Sequence, residues 1–203
     1  MSNATNQQNI RPIYNCERLV ITPMTDSENE TYGTPYEFTK RLMSYDDSVQ
    51  TNTTDLYGDG VIVESSVEEG PGTLVLGIHG LTDDEYAAIS GAEVDSNGVV
   101  IETGEEEPPY CCVALIARIG KDKVNLRKWP KVRFQKMPEN VQQKQGNKTY
   151  STPTLTGSFV RCERLNCKRA RMSQIAESTA NKDKIEAWLT NPDYLGDTLP
   201  SGT

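Results

Sequence analysis

Short runs of apolar residues, bounded by polar and glycine-containing stretches, recur along this chain, and such runs are typical of β-strands. The run YNCERLVITPM at 14–24 predicts a first strand. The run YCCVALIARIG at 110–120 is apolar on both parities, which predicts a strand covered on both faces. Pro130 interrupts a later strand, and a proline inside a strand favours a sheet edge or a bulge. The other predicted strands are 72–80, 97–103, 123–137 and 151–165.

A long polar hairpin is predicted in the first half of the chain. Gly58-Asp59-Gly60 is strong turn chemistry, because glycine and aspartate tolerate the positive φ that tight hairpins need. Tyr57 and these three residues form the predicted turn, between arms at 44–57 and 60–68. Both arms are polar on much of both faces, and an isolated hairpin of that kind has little hydrophobic stabilisation. We therefore expect neighbouring chains to extend its sheet.

The stretch GIHGLTDDEYAAISG predicts a short helix that follows a strand. Thr82 and Glu85 have the spacing of a capping box, in which each side chain accepts a hydrogen bond from the other residue's backbone N–H. Leu81 and Tyr86 have the spacing of a hydrophobic staple across the same helix start. Gly91 is the expected left-handed residue at the helix end. The pattern predicts a flanking helix that packs on the sheet.

A second short helix is predicted at 181–192, where Ile185, Trp188 and Leu189 share one face and Asn-Pro ends the run. The chain length fits one domain with extended arms. The predicted fold is mainly β: a β-sandwich or half-barrel with one flanking α-helix, a long hairpin and extended terminal arms. The predicted organisation is an N-terminal arm at 1–13, a single β domain at 14–180, and a short helix with an arm at 181–203.

Composition indicates surfaces that are buried only on assembly. Hydrophobic residues are 35% of the chain and mean hydropathy is −0.60, which is low for a globular protein of this length. No run of about 18 apolar residues is present, so no membrane-spanning segment is predicted. The N-terminus lacks the basic and apolar regions of a signal peptide, so synthesis and maturation in a cytosol are expected.

The five cysteines do not have the pattern of a metal site or of a disulfide framework. An odd number in a chain with no signal peptide argues against paired disulfides. Structural zinc sites draw on Cys-x2–4-Cys pairs, whereas one pair here is adjacent and the other is spaced Cys-x4-Cys. We therefore expect no metal and no cofactor, and small apolar roles for these side chains. The cysteines are Cys16, Cys111, Cys112, Cys162 and Cys167.

Charge is divided unequally along the chain. Residues 1–110 have 21 acidic and 4 basic side chains, a net of −17, and residues 111–203 have 8 acidic and 17 basic, a net of +9. Such asymmetry is typical of a charged tail that binds a partner, or of faces that complement each other between copies of one chain. The basic residues are spread over strand-like segments, so nucleic-acid binding is possible but is not the first interpretation.

His79 is the only histidine, and it precedes three carboxylates in the predicted helix. A hydrolase that uses His79 with acidic partners is one hypothesis. However, no nucleophile motif, glycine-rich phosphate loop or second histidine completes such a site. The capping box already gives the carboxylates a structural role. We expect no enzymatic activity and no catalytic residues.

Several stretches occur together in the order and spacing of one phage family: TDLYGDGVIVES, GTLVLGIHGLTDDEYAAISG, PPYCCVALIAR and YSTPTLTG. Over about residues 36–160 the chain resembles the major tail (tail tube) proteins of siphophages of Gram-positive hosts, the phi-thirteen type. Gly58 and Gly60 depart conservatively from the family's hairpin turn, and His79 is not part of its pattern. The matching residues are Tyr57, Asp59, Leu81, Thr82, Gly91, Pro109, Tyr110, Thr152 and Pro153.

The resemblance implies a structural virion protein. Six copies would form a ring, and the rings would stack head to tail into a tail tube, with one hairpin of each subunit in the lumen wall. The implied partners are further copies of the chain, tape measure, distal tail and tail terminator proteins, and phage DNA that passes without specific binding. No membrane partner is implied. The implied location is the virion tail, with assembly in the host cytoplasm.

An acidic lumen would repel DNA phosphates and allow DNA to slide, whereas a basic lumen would hold it. We therefore expect that some hairpin carboxylates face the channel. The alternative function is a non-enzymatic β-sandwich binding module, such as a carbohydrate-binding or capsid-decoration domain. Scattered aromatic residues, at 7% of the chain, disfavour it. The candidate lumen residues are Asp46, Asp47, Asp55, Asp59, Glu64, Glu68 and Glu69.

Overall fold

A computed structural model describes residue 13 and residues 15–137 and 152–196. Most of the predicted N-terminal arm, residues 138–151 and the end of the predicted C-terminal arm lie outside these residues. The helices within these residues are α1 (Asp83–Ser90) and α2 (Thr179–Thr190). The strands are β1 (Asn15–Asp26), β2 (Thr31–Tyr32), β3 (Tyr36–Phe38), β4 (Leu42–Gly58), β5 (Val61–Ile78), β6 (Glu93–Val94), β7 (Val100–Ile101), β8 (Tyr110–Arg118), β9 (Lys123–Phe134), β10 (Thr154–Phe159) and β11 (Ala170–Ala176).

One antiparallel sheet dominates the fold. Its strand order is β2-β1-β8-β9-β10-β5-β4, with β3 beside β1 and β11 beside β9, while β6 and β7 form a separate two-stranded sheet. The sheet curves until β4 returns to β1, where the Cys16 thiol lies 3.9 Å from the Leu42 carbonyl oxygen. The prediction of a mainly β, half-barrel fold with a flanking helix is confirmed.

The two halves of β9 have different neighbours, and this divides the sheet into two layers. β10 pairs with β9 around Val132–Phe134, and β11 pairs with it around Lys123–Lys128. The two layers separate at this change of partner along β9, and the main core lies between them. It includes the buried side chains of Leu74, Leu115 and Phe159, and Ile89 of α1 packs against it. Apolar side chains of the facing strands fill the space between the two layers.

A second core lies on the other face of β8 and β9, under α2. Ile185, Trp188 and Leu189 are buried there, as their spacing predicts. Lys128 is also fully buried, and its ammonium donates to the carbonyls of Asn191 and Tyr194 at 2.8 Å each. Burial lowers the pKa of Lys128. The lysine therefore connects the end of α2 to the sheet.

Glu30 fixes the loop after β1 to β9. It is buried, and it accepts from the Lys131 ammonium at 2.5 Å, the Cys162 thiol at 3.0 Å and the Arg164 backbone N–H at 2.7 Å. Burial alone would raise the pKa of Glu30, but these hydrogen bonds overcome it and lower that pKa to about 2. The carboxylate is therefore a shared acceptor for β9 and for the segment that contains Cys162 and Arg164.

Several sequence expectations for the strands need correction. The predicted arm at 60–68 and the predicted strand at 72–80 form one strand, β5, because a register shift accommodates the Gly70-Pro71 step. By contrast, the expectation of an edge or a bulge at Pro130 agrees with the structure, because the register between β8 and β9 shifts beside Pro130 as at a bulge. Only Val100–Ile101 is a strand within 97–103, and the sequence pattern does not predict β11.

Candidate functional site

The main candidate site is an arm that β4 and β5 form outside the body. β5 pairs with β10 only from Gly72 to Gly77, so residues 61–69 pair with β4 alone, and Gly70 and Pro71 lie at a register shift between the two regions. We call residues 50–71 the projecting hairpin. Each of its two strands has an edge with no partner in the described part of the chain. At about 3.3 Å per residue, it reaches roughly 30 Å from the body.

The base of the projecting hairpin is held firmly against the body. Gly72 pairs with Phe159, whose buried ring occupies the space where a side chain at Gly72 would lie. The Lys168 ammonium donates to the Gly70 carbonyl, lies 3.6 Å from the Glu69 carboxylate and stands 5.9 Å above the Phe159 ring. These contacts orient the arm although nothing in the described chain covers its outer part.

A tight turn ends the projecting hairpin, and its surroundings are apolar. Asp59 and Gly60 have φ of 53° and 81°, between the paired residues Gly58 and Val61. Two consecutive positive φ values are those of a type I′ turn, as the sequence predicts. The sequence predicts a hairpin that is largely polar, but this end of it is not. Five large apolar side chains are more than half exposed there. This apolar tip is Leu56, Tyr57, Val61, Ile62 and Val63.

The strand register separates the two faces of the projecting hairpin. Residues paired across two strands share a face, and successive residues alternate between faces. The core-side face continues the line of the buried Leu74 and Leu76 and carries Thr51, Thr53, Asp55, Tyr57, Ile62, Ser65, Val67 and Glu69. The outer face carries Gln50, Asn52, Thr54, Leu56, Glu64, Ser66 and Glu68.

The seven candidate lumen carboxylates divide between these faces. Asp46, Glu64 and Glu68 lie on the outer face, whereas Asp47, Asp55 and Glu69 lie on the core-side face and Asp59 is in the turn. Two core-side carboxylates have cationic neighbours in the same chain, since Asp47 is 2.9 Å from Arg169 and Glu69 is near Lys168. Asp55 accepts from the Ser65 hydroxyl at 2.5 Å. Because the two faces point in opposite directions, only one of these two groups of carboxylates can face the channel.

The predicted capping residues lie at the other end of β5 from the hairpin turn. The Thr82 hydroxyl accepts from the Glu85 N–H at 3.3 Å, and the Glu85 carboxylate accepts from the Thr82 N–H at 2.8 Å. Gly91 follows the helix with φ 78°. Leu81 packs on the main core, and the Tyr86 hydroxyl donates to Glu102. These residues hold α1 on the sheet.

His79 does not lie in a recognisable reaction site. Its side chain is exposed at the end of β5, and its backbone N–H donates to the Arg41 carbonyl at 3.0 Å. Glu85, one of the nearby carboxylates, is occupied by the cap and by the Arg41 guanidinium at 2.5 Å. Within residues 13, 15–137 and 152–196, no three histidine, cysteine or acidic side chains are arranged to hold a metal ion.

The cysteines are unreactive thiols in their present surroundings. All five are free, and burial raises the pKa of Cys111 and of Cys112 to about 12. Burial, with the neighbouring Glu30 carboxylate, raises the pKa of Cys162 to about 11. The thiolate is the nucleophilic form, so these three side chains are not activated. Cys111 and Cys112 pack in the interior, and Cys162 also donates to the Glu30 carboxylate.

Neither α1 nor α2, the helices of the described residues, is long and apolar enough to cross a membrane.

Two solved assemblies contain chains similar to this one. In the cryo-EM structure of the anti-feeding prophage baseplate, 6-fold symmetrised, one chain is 9% identical; the match covers 81% of this chain and 97% of that chain, with a TM-score of 0.43. In the cryo-EM structure of the anti-feeding prophage tube terminating cap, one chain is 11% identical; the match covers 84% and 99%, with a TM-score of 0.41. No family model and no curated protein match the sequence. Both TM-scores are below 0.5, so neither similarity carries a functional argument.

Proposed function

We propose that this protein is a structural subunit of a phage tail, the major tail tube protein, and that it assembles through the projecting hairpin. The observation that best supports this proposal is the projecting hairpin itself. It is roughly 30 Å long, both of its strand edges lack a partner among the described residues, and its tip is apolar. Unpaired edges and exposed apolar side chains are liabilities in a monomer, because they promote association. A neighbouring copy that pairs with the arm removes both.

A closed ring is the arrangement that satisfies every edge. When each hairpin pairs with the next copy, every contact joins two different surfaces of the same chain. A series of such contacts forms a closed ring only when each copy is related to the next by a rotation about one axis. A sixfold ring is what the family resemblance implies. Translation of one ring onto the next gives a tube by the same kind of contact. The other edge of β11 has no strand partner among the described residues, so a neighbouring copy can add a strand there as well.

The outer face of the hairpin is the better candidate for the channel wall. It carries Glu64 and Glu68, with Ser66 between them, and Asp46 continues the same face of β4 in the body. Asn52 pairs with Glu68, and the exposed Leu56 of the apolar tip pairs with Glu64. The core-side face carries Tyr57, Ile62 and Val67, which favour contact with protein. A wall with negative charge repels DNA phosphates and releases no counterions, so DNA passes without specific binding.

The rest of the proposal follows from this role. The protein has no catalytic residue and no cofactor, and its activity is mechanical. Its partners are other copies, the tape measure, distal tail and tail terminator proteins, and the DNA that passes through the bore during ejection. It assembles in the host cytoplasm and remains in the virion.

A capsid-decoration or other binding module is the second candidate, and the apolar tip is the observation that favours it. A tip with five exposed apolar side chains also suits insertion into a different protein. The two functions differ in self-association. A decoration module has no need of unpaired edges on both strands of the hairpin.

Deletion of the arm tests the proposal. In the variant, residues 51–69 are replaced by a two-residue Asn-Gly turn, so that β4 and β5 still pair within the body. Sedimentation velocity of the wild-type protein should give large assemblies. The variant should sediment as a monomer with an unchanged circular dichroism signal in the body strands.

A matched control changes a hairpin outside the arm. Asn97→Ala alters the turn between β6 and β7, which form a separate two-stranded sheet, and it should leave assembly unchanged. Equal assembly of wild-type and arm-deleted protein would contradict the proposal.

A further inference from the structure

A basic cavity lies where the two layers of the sheet open, between β4 and β11. Its volume is about 330 Å³. It is lined mainly by Tyr45, Asp47, Arg127, Trp129, Arg169 and Arg171. Arg127 and Arg171 are cross-strand partners, so they share a face of the sheet. The tail-tube role alone assigns no task to this cluster.

The cavity has more positive than negative charge. Arg169 lies 2.9 Å from Asp47, which is the acidic residue of the lining. Neither Arg127 nor Arg171 has an ion-pair partner among the residues described. Two guanidinium groups on neighbouring strands repel each other, and a carboxylate between them relieves this repulsion. The charge therefore favours an anionic ligand.

Trp129 gives a second, independent indication of a ligand. The residue is 1% exposed, and its indole N–H has no hydrogen-bond acceptor within the described chain. Its ring packs edge-to-face on Tyr45, with centroids 6.1 Å apart. A buried donor without an acceptor costs free energy. An anionic ligand can accept hydrogen bonds from the guanidinium groups of the lining. Its oxygen also provides a hydrogen-bond acceptor on the Trp129 side of the cavity.

We propose that the carboxylate of Asp55 from a second copy of this chain enters the basic cavity. Asp55 lies on the core-side face of the projecting hairpin, and no cation of its own chain pairs with it among the residues described. Its neighbours on that face include Tyr57 and Val67, which suit contact with the aromatic lining. This inference rests on the proposed function, because it specifies one contact of the same hairpin.

The backbone supports the same occupant. β11 pairs with β9 along one edge, and its other edge has no strand partner in the described residues. A hairpin strand of a second copy can add to that edge, and it then holds its side chains beside Arg169 and Arg171. Residues 44–69 contain seven acidic and no basic side chains. Charge complementarity and strand addition together favour the hairpin over a nucleic-acid phosphate, which offers charge alone.

Charge exchange between the two partners tests the contact. Arg171→Glu and Asp55→Arg should each raise the concentration needed for assembly by at least about tenfold, because each places like charges together. The combined variant R171E/D55R should recover to within about threefold of wild type, since the exchanged pair is again complementary. Light scattering across a concentration series measures this threshold, and thermal melting verifies that each variant folds.

Two matched controls separate this contact from general charge effects. Glu64→Arg introduces an arginine in place of a carboxylate, as D55R does, on the outer face of the same hairpin, and it should leave the threshold unchanged. Lys121→Glu reverses a positive charge, as R171E does, at an exposed position before β9, and it should also leave the threshold unchanged. A threshold raised equally by E64R and D55R would overturn the assignment to the core-side face.

The remaining outcomes are distinguishable. Wild-type protein that assembles while R171E and D55R assemble equally well overturns this contact alone. Wild-type protein that stays monomeric beside the other tail proteins overturns the proposed function together with the contact. A 20-base-pair DNA duplex, about two helical turns, is the probe for the phosphate alternative. Binding of this duplex that R171E abolishes, without an effect of D55R on assembly, would assign the cavity to nucleic acid and overturn the proposal.

Discussion

The ring of Phe159 fills the place of a side chain at Gly72, on the adjacent strand. A Cβ at Gly72 would lie 2.1 Å from the Phe159 Cζ atom, far inside van der Waals contact. The pair stands where β5 leaves β10 and the projecting hairpin begins. An aromatic ring over a cross-strand glycine thus anchors the arm to the main core, to which Phe159 belongs.

Gly72→Ala should destabilise the body by about 1–3 kcal/mol, because the buried Phe159 ring must move to accommodate a methyl group. Thermal or urea unfolding of the arm-deleted protein measures this without interference from assembly. Gly70→Ala is the matched control, because its nearest neighbouring atoms would be 3.7 Å from the new Cβ. Equal stability of the two variants would contradict the role assigned to Phe159.

Reversal of the outer-face charges should alter DNA passage more than assembly. With Glu64→Lys and Glu68→Lys together, tubes should form, but ejection should slow at low salt because the lysines attract phosphates. Ejection from reconstituted particles, followed with a DNA-binding dye at two salt concentrations, measures the effect. Lysines at the exposed Glu93 and Glu105, outside the hairpin, provide the control. Unchanged ejection from the first variant would remove the argument for an acidic channel.

Glu30 should make the fold sensitive to acid. Its pKa of about 2 in the folded protein is below the ordinary glutamate value, so its contribution is complete above about pH 4.5 and is lost as pH falls toward 2. The contribution is on the order of 3 kcal/mol. Glu30→Gln should be less stable at pH 7 and should lose less further stability between pH 4.5 and 2. Parallel stability profiles of the two proteins across this window would contradict the assignment.

Lys128→Met should loosen the end of α2, because the Asn191 and Tyr194 carbonyls lose their buried donor. Hydrogen exchange should accelerate around residues 188–194, and stability should fall by about 1–3 kcal/mol. Lys123→Met, at an exposed position on the same strand, is the control and should leave exchange in α2 unchanged. Unchanged exchange in K128M would show that the lysine is not needed there.

Local features of the fold were predictable from the sequence, and features set by distant contacts were not. The cap of α1 and the Asp59-Gly60 turn depend on residues within a few positions of each other. The continuity of β5 through Gly70-Pro71 depends on its pairing with β4, which absorbs the extra residue. β11 has a weak pattern of its own and forms because β9 offers an edge.

The candidate site shows the same division. The acidic character of the hairpin is visible in the sequence, but the strand register decides which carboxylates share a face. The convergence of Arg127 with Arg169 and Arg171 joins strands far apart in the chain. No local spacing signals it. The apolar residues of the tip were visible in LYGDGVIV, but their exposure follows from the absence of a covering element in the described structure.

In the proposed function, the projecting hairpin builds a tube from copies of this chain. Electron microscopy of the concentrated wild-type protein, alone and with the other tail proteins, tests it most directly. We expect tubes whose end-on views show sixfold rings with hairpins around the bore. Wild-type protein that remains monomeric under both conditions, or tubes whose bore is formed without the hairpins, would contradict it.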